Sequence, residues 1–147
     1  MSDCIYKIIP ENPNGDIRDK ADKAIAYLKR KTKPESIEFT DHGEISFIDC
    51  GENLSSVSCP LCNAELSLDW WGEAMNVAFE NGFSELSCTL PCCNQKSALT
   101  DLKYDFLCGF AKNEITISNP KKTPNDKMIA KIESILNEKV KIIICRY

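Results

Sequence analysis

Five cysteines in two short clusters are the residues of this chain whose types and spacing most clearly indicate chemistry. The first cluster is Cys59-Pro60-Leu61-Cys62, and the second contains Cys88, Cys92 and Cys93. A Cys-x-x-Cys turn places two thiolates on one side of a tight knuckle, and a second pair completes the tetrahedral shell that zinc prefers. The spacing therefore predicts one structural zinc ion, bound by four of these five cysteines.

The two clusters form a faint internal repeat, and the repeat leaves the fourth ligand open. Pro60-Leu61-Cys62-Asn63 and Pro91-Cys92-Cys93-Asn94 match at proline, cysteine and asparagine. Asparagine tolerates the left-handed backbone that often follows a knuckle cysteine. The match makes Cys62 and Cys93 equivalent, but it aligns Cys59 with Leu90. The fourth ligand is then either Cys92, which adjoins Cys93, or Cys88, which requires a wider loop.

Other chemistries explain less of the pattern. Cys59 and Cys62 could form a thiol redox pair, but such a pair leaves the second cluster without a role. Hydrolytic zinc sites use an open coordination position and usually histidine or carboxylate ligands. The one histidine, His42, is expected in an exposed turn, and the six glycines form no phosphate-binding loop. We therefore expect no catalytic residues, with thiol redox chemistry as an alternative.

Charge is distributed unevenly along the chain. Residues 1–34 carry a net charge of +3 and residues 121–147 one of +4, whereas residues 35–120 carry −11. Four thiolates on one zinc ion would add about two further negative charges. Nucleic-acid ribbons need cations close to their knuckles to neutralise phosphates, so the cysteine segment favours a basic protein partner. The alternative is a nucleic-acid or transcription-associated module that uses the basic first helix and Lys121-Lys122.

The cellular compartment is predicted from what the sequence lacks. No apolar run approaches the roughly 20 residues that span a bilayer, and Met1-Ser2-Asp3-Cys4 is not typical of a secretion signal. We expect a cytoplasmic protein whose nine cysteines stay reduced. The cysteines outside the clusters are expected to be small buried hydrophobes: Cys4, Cys50, Cys108 and Cys145.

Periodicity and turn residues predict the elements that must position the cysteines. Strands are expected at 4–9, 36–40, 44–49, 114–117 and 140–145, and helices at 16–30, 69–82 and from Thr123-Pro124 to Asn137. Asp41-His42-Gly43 has the composition of a hairpin turn, and Asp69 can cap the middle helix. The last strand is apolar on both faces, which is typical of an interior strand.

These elements predict an α+β fold. Strand, helix and strand at each end suggest two such units around a mixed sheet, with a zinc-ribbon-like segment inserted between them. We expect a single domain over residues 1–147, with the insertion at 54–106. Within the insertion, Trp70 and Trp71 either pack over the metal site or bind a partner, since tryptophans often dominate interface energetics.

Several motifs from the second cluster onward resemble those of a known group of proteins. They are Pro91-Cys92-Cys93-Asn94, the stretch from Leu99 to Tyr104, Gly109-Phe110-Ala111 and Asn119-Pro120. This pattern resembles that of small, largely uncharacterised bacterial cytoplasmic proteins with a zinc-ribbon-like segment. The resemblance covers roughly Cys59 to Pro120 and implies a metal-binding segment.

Two classes of function follow from the sequence. The first is a non-enzymatic zinc-binding protein whose acidic surface docks a basic protein, as an inhibitor, an immunity-type protein or a regulatory subunit. The second is the nucleic-acid module described above. No small-molecule substrate and no membrane partner are predicted.

Overall fold

The helices and strands of this computed structural model belong to two units of the chain. The structure describes residues 3–49, 56–105 and 108–146. One unit, called here the frame unit, comprises residues 1–50 and 109–147, and the other, the cysteine unit, comprises residues 51–108. In chain order the elements are β1 (Cys4–Pro10), α1 (Ala21–Thr32), β2 (Ser36–Ile48), β3 (Val57–Ser58), β4 (Glu65–Leu66), α2 (Leu68–Glu80), β5 (Ser87–Thr89), β6 (Lys96–Ala98), β7 (Lys103–Tyr104), β8 (Gly109–Ser118), α3 (Asp126–Leu136) and β9 (Val140–Arg146).

Four strands of the frame unit form one sheet in the order β2, β8, β1, β9, and every pairing is antiparallel. α1 follows β1 and α3 follows β8, so the unit has the β-α-β-β-α-β order of the ferredoxin-like, split βαβ arrangement. The predicted α+β class is confirmed. The prediction that the last strand is interior is wrong, because β9 lies at the edge of the sheet beside β1.

Both faces of this sheet carry buried apolar residues. Ile8 of β1 packs in one cluster with Leu28 of α1 and Ile132 of α3. Its neighbour Ile9 lies in a second cluster with Ile143 of β9. Since successive residues of a strand point to opposite faces, β1 serves both clusters. Burial on both faces also explains why β9 is so apolar although it is an edge strand.

The segment predicted as a hairpin belongs instead to one long strand, β2. Asp41 pairs with Asn113 of β8, and Ser46 pairs with Ala111, so the β2 residues between them lie opposite a single residue of β8. Residues 42–45 of β2 lie opposite residue 112 of β8, which makes this a larger β-bulge than the usual two residues against one. The hairpin prediction is wrong because both halves of β2 pair with the same neighbouring strand rather than with each other.

His42 lies in this bulge and connects it to the sheet. Its Nε2 atom is 2.8 Å from Oε1 of Glu114, and the side chains are 25% and 11% exposed. The other oxygen of Glu114, Oε2, is buried with no hydrogen-bond partner among the described residues. As a whole residue His42 is exposed, as expected, but it lies in a bulge of β2 rather than in a hairpin turn, and its ring is paired with Glu114.

Two helices start later than predicted, for different reasons. The backbone N–H of Ile17 donates to Oδ1 of Asn113, at 2.9 Å, so the chain before α1 is held by a distant strand. α1 consequently begins at Ala21 rather than at Asp16. In α3 the cap is Asn125, whose Oδ1 accepts from the N–H of Met128 at 2.9 Å, rather than Thr123.

The cysteines outside the two clusters differ in environment. Cys4 is half-buried and Cys108 is buried, and both are free thiols. Cys145 is fully buried but disulfide-bonded, which corrects the expectation of a reduced thiol at that position. Cys50 lies outside the described residues. None of the helices in the described part of the chain is long and apolar enough to cross a membrane.

Candidate metal centre

Four of the five cysteines sit at the turns of two short antiparallel hairpins in the cysteine unit, Cys59 and Cys62 in the first and Cys92 and Cys93 in the second. β3 and β4 flank the first knuckle, with Val57 opposite Leu66. β5 and β6 flank the second, with Cys88 opposite Ser97. The two hairpins thus position the two sets of thiols.

The internal repeat extends to the backbone hydrogen bonds of the knuckles. Cys59 N–H donates to the carbonyl of Ala64, and Asn63 N–H donates to the carbonyl of Cys59, at 2.8 and 3.0 Å. In the second hairpin the same two bonds join Leu90 to Gln95 and Asn94 to Leu90, both at 2.8 Å. Asn63 and Asn94 both have positive φ, 64° and 57°, as expected from the sequence. Leu90 therefore occupies the position that Cys59 occupies in the first knuckle.

Four thiols meet between the knuckles. The Sγ atoms of Cys59, Cys62, Cys92 and Cys93 all lie within 4.8 Å of one another. The separations are 4.0 Å for Cys59–Cys93, 3.4 Å for Cys62–Cys92 and 3.9 Å for Cys92–Cys93. Four Zn–S bonds of about 2.3 Å in a tetrahedron require sulfur separations of about 3.8 Å. The cluster is therefore of a size that could hold one metal ion.

Cys88 is not part of this group. It lies in β5 as a half-buried free thiol. In the internal repeat its position is equivalent to that of Val57 in the first hairpin, two residues before the knuckle. The second hairpin supplies its additional thiol from the middle of the turn instead, at Cys92. The geometry thus favours Cys92 over Cys88 for the fourth position that the sequence left open.

The four thiols differ in their tendency to ionise. Burial raises the pKa of Cys59, but the N–H groups of Cys62 and Leu61 and the neighbouring thiols of Cys92 and Cys62 outweigh it and lower the pKa to about 6. The two N–H groups are each 3.3 Å from the Cys59 sulfur. Burial, together with the thiols of Cys62, Cys59 and Cys93, raises the pKa of Cys92 to about 12. Without a metal, one thiolate is therefore stabilised while its neighbour keeps its proton.

α2 begins directly after the first hairpin. Ser67 caps it rather than Asp69, because Ser67 Oγ accepts from the N–H groups of Asp69 and Trp70, at 3.2 and 3.4 Å. The helix ends at Glu80, next to the predicted stop at Asn81-Gly82. The hydrogen-bonded cap fixes the start of the helix that carries both tryptophans.

Trp71 and Trp70 have different surroundings. The indole N–H of Trp71 donates to the hydroxyl of Tyr104 in β7, at 3.2 Å, and that hydroxyl donates to the carbonyl of Leu99, at 2.6 Å. Burial is the main cause that raises the pKa of Tyr104. Trp70 is half-buried and lines a groove between α2 and β5. Trp71 thus packs within the unit, whereas Trp70 lies beside an open surface.

Electrostatically the cysteine unit is acidic. It contains eight acidic residues and two lysines, a net charge of −6, and α2 has no basic residue. The one histidine of the chain, His42, belongs to the frame unit and is not among the four residues that could hold the metal ion. The sequence placed Tyr104 in a strand but did not identify it as the partner of Trp71, because the two residues are 33 positions apart and no local pattern links them.

None of the family models, curated proteins or solved structures with which the chain was compared matches it. The resemblance drawn from the sequence motifs is therefore supported only by the cluster of Cys59, Cys62, Cys92 and Cys93.

Proposed function

We propose that this protein binds one structural zinc ion through Cys59, Cys62, Cys92 and Cys93 and uses the acidic cysteine unit to dock a basic protein. The meeting of the four thiols at near-tetrahedral separations is the observation that carries this proposal. Four thiolates close the coordination shell of zinc, and a closed shell is typical of structural sites rather than catalytic ones.

The negative charge of the cysteine unit supports a basic protein as the partner. Four thiolates on a divalent ion contribute a net charge of about −2, which adds to the −6 of the unit's side chains. A surface with one sign of charge speeds and directs association with a surface of the opposite sign. The biological role we propose is that of an inhibitor, an immunity-type protein or a regulatory subunit that binds a basic protein.

Elemental analysis and affinity capture test the two halves of the proposal. The purified chain should contain one zinc per molecule, and Cys59→Ser and Cys93→Ser should lose it. The immobilised, zinc-loaded chain should capture basic proteins from a lysate of the source cell, and the variant Glu73→Gln/Glu80→Gln in α2 should capture less. The matched control is Glu38→Gln/Glu44→Gln in β2, which removes the same charge from the frame unit. A captured set with no excess of basic proteins, or one equally sensitive to both variants, would contradict the proposal.

A second candidate function rests on a separate observation in the frame unit. The backbone N–H groups of Lys121 and Lys122 donate to the carbonyl of Thr32 at the end of α1, at 2.8 and 3.0 Å. This contact unites two basic segments that are far apart in the sequence. The resulting basic cluster contains six exposed cations, none of them in an ion pair among the described residues: Lys29, Arg30, Lys31, Lys33, Lys121 and Lys122.

Such a cluster suits a nucleic-acid backbone, although cations at a helix C-terminus are also favoured by the helix dipole. Retention on immobilised DNA at low salt separates the two explanations. Nucleic-acid binding predicts retention that falls steeply with salt and is lost in Lys121→Ala/Lys122→Ala. If the wild-type chain is not retained, the acidic docking function stands alone.

A further inference from the structure

The two hairpins of the cysteine unit differ in what lies along their outer edges. β3 pairs with β4 on one side and with β7 on the other, where Val57 lies opposite Tyr104. β5, its counterpart in the repeat, pairs only with β6 among the described residues. The second hairpin therefore lacks the third strand that the first one has.

The hydrogen-bond register identifies the groups on this open edge. Leu99 N–H donates to Leu86 and Leu90 N–H donates to Gln95, so Leu86, Cys88 and Leu90 direct their backbone groups towards β6. Ser87 and Thr89 consequently direct theirs outward. In the first hairpin the corresponding outward residue, Ser56, accepts from Asp105 beside β7, at 3.3 Å.

Three of these outward groups are available for a strand. The N–H of Ser87 is already bound by Oε1 of Glu85, at 3.0 Å. The carbonyl of Ser87 and both the N–H and the carbonyl of Thr89 have no hydrogen-bond partner among the described residues. An unpaired edge of this kind is a template for the addition of an extended peptide.

A groove of about 250 Å³ lies along this edge. Ser87, Cys88 and Thr89 all line it. Successive residues of a strand point to opposite faces of the sheet, so a groove lined by three successive residues lies at the edge of the strand rather than on one face. The opposite wall is α2, which contributes Trp70 and Val77, the latter 60% exposed. The groove therefore offers apolar contacts next to free backbone groups.

β7 indicates which side chains suit such a strand. Its Tyr104 packs edge-on against Trp71, with ring centroids 6.1 Å apart, and its Lys103 donates to Oδ1 of Asn63 in the first knuckle. Beside the second hairpin, Trp70 of α2 and Asn94 of the knuckle are the residues available for the same two contacts. Asn94 is exposed, and no residue binds its side chain among the described residues.

We propose that the open edge of β5 binds an extended segment of another protein in which a lysine or arginine alternates with an aromatic residue. The aromatic side chain enters the groove beside Trp70, and the cation faces Asn94 and the carboxylate of Glu85, the acidic residue that lines the groove. This inference rests on the proposed docking of a basic partner and names the surface that performs it. A second copy of the chain is a poorer occupant, because two units of net charge −6 repel each other.

A terminally blocked hexapeptide of alternating lysine and tyrosine is the probe that tests the site. The zinc-loaded chain should bind it with one-to-one stoichiometry, measured by fluorescence anisotropy at low salt, and the Thr89 amide should become protected from hydrogen exchange. Thr89→Pro should weaken binding at least tenfold, since it removes the outward N–H without removing a bond to β6. Thr89→Val keeps that N–H and should bind like the wild type.

Two further arms keep the test independent of whether Thr89→Pro folds. A peptide with its alternate backbone amides methylated has the same charge and side chains, so it should bind at least tenfold more weakly. Equal binding of the methylated and unmethylated peptides would overturn the proposal, because charge alone would then hold them. The proposal is also overturned if the wild-type chain sediments as a dimer and Thr89→Pro as a monomer, because a second copy would then occupy the edge.

Failure here and failure of the proposed function give different results. If the chain still captures basic proteins from a lysate while Thr89→Pro and the methylated peptide behave like their controls, docking survives at another surface. If the chain captures no basic protein, the proposed function fails whatever the peptide does.

Discussion

Moving a thiol from Cys92 to the position of Leu90 should preserve metal binding, although removing Cys92 alone should weaken it. Leu90 has the knuckle hydrogen bonds of Cys59 and is fully buried, so a cysteine there is expected to direct its sulfur as Cys59 does. The double variant Leu90→Cys/Cys92→Ser would then contain two ordinary Cys-x-x-Cys knuckles, at 59–62 and 90–93.

The size of the effect follows from sharing the binding free energy among four ligands. Structural zinc sites contribute about 10–16 kcal/mol, so one thiolate in four accounts for roughly 3 kcal/mol, or about a 100-fold change in the dissociation constant. Cys92→Ser should weaken zinc binding by about that factor, and the added cysteine should restore most of it. The loss of buried volume at Leu90 should lower the free energy of unfolding by about 1–2 kcal/mol without changing the metal affinity.

Competition with a chromophoric zinc chelator measures these affinities, and Cys88→Ser is the matched control. Cys88 lies in the adjoining strand outside the group of four thiols, so its variant should bind zinc like the wild type. The reasoning is refuted if Cys88→Ser weakens binding as much as Cys92→Ser does. It is also refuted if the double variant binds zinc no better than Cys92→Ser, because Leu90 would then not be equivalent to Cys59.

Three further outcomes are expected. His42→Ala should lower the free energy of unfolding in urea by about 1–3 kcal/mol, because it leaves the buried carboxylate of Glu114 without its partner; an unchanged midpoint would contradict a structural role for the pair. Gly109→Ala should lower the free energy of unfolding by about 1–3 kcal/mol, since its new Cβ would lie 2.6 Å from an isoleucine of β1. Gly72→Ala has open space around the new Cβ and should instead raise the free energy of unfolding by up to about 1 kcal/mol, because alanine favours the helix. Equal effects of the two variants would refute this packing argument. Zinc binding at pH 7 should release protons and weaken as the pH falls, because the thiol of Cys92, whose pKa is raised to about 12, must lose its proton to become a ligand. Calorimetry in buffers of different ionisation enthalpy measures this proton release. A binding heat that does not depend on the buffer would contradict the prediction.

The sequence predicted elements wherever a single period persisted, and it failed where distant residues decided the outcome. α3 and β9 were found close to their predicted bounds because their apolar periods are continuous. The start of α1 could not be read locally, since Asn113 of β8 binds the backbone at Ile17. The edge position of β9 was equally hidden, because burial on both faces gives an edge strand the composition of an interior one.

Turn chemistry was the most misleading local signal. Asp41-His42-Gly43 has the residues of a hairpin turn, and Gly43 does have a positive φ of 77°. The same conformations occur in a bulge, and only the pairing of both flanks with β8 distinguishes the two. In the metal centre, the repeat located the knuckles from sequence, but the choice between Cys88 and Cys92 needed the positions of the sulfur atoms.

Ile48, near the point where the chain leaves the frame unit, pairs with Gly109, where the chain returns to it. Partners in an antiparallel ladder have Cα atoms only about 5 Å apart, a gap that a tight turn of two residues can bridge. The whole intervening segment thus takes the place of an ordinary hairpin connection. Lengthening, shortening or exchanging that segment would leave the strand order of its host intact, which makes this junction a natural place for grafting other small modules.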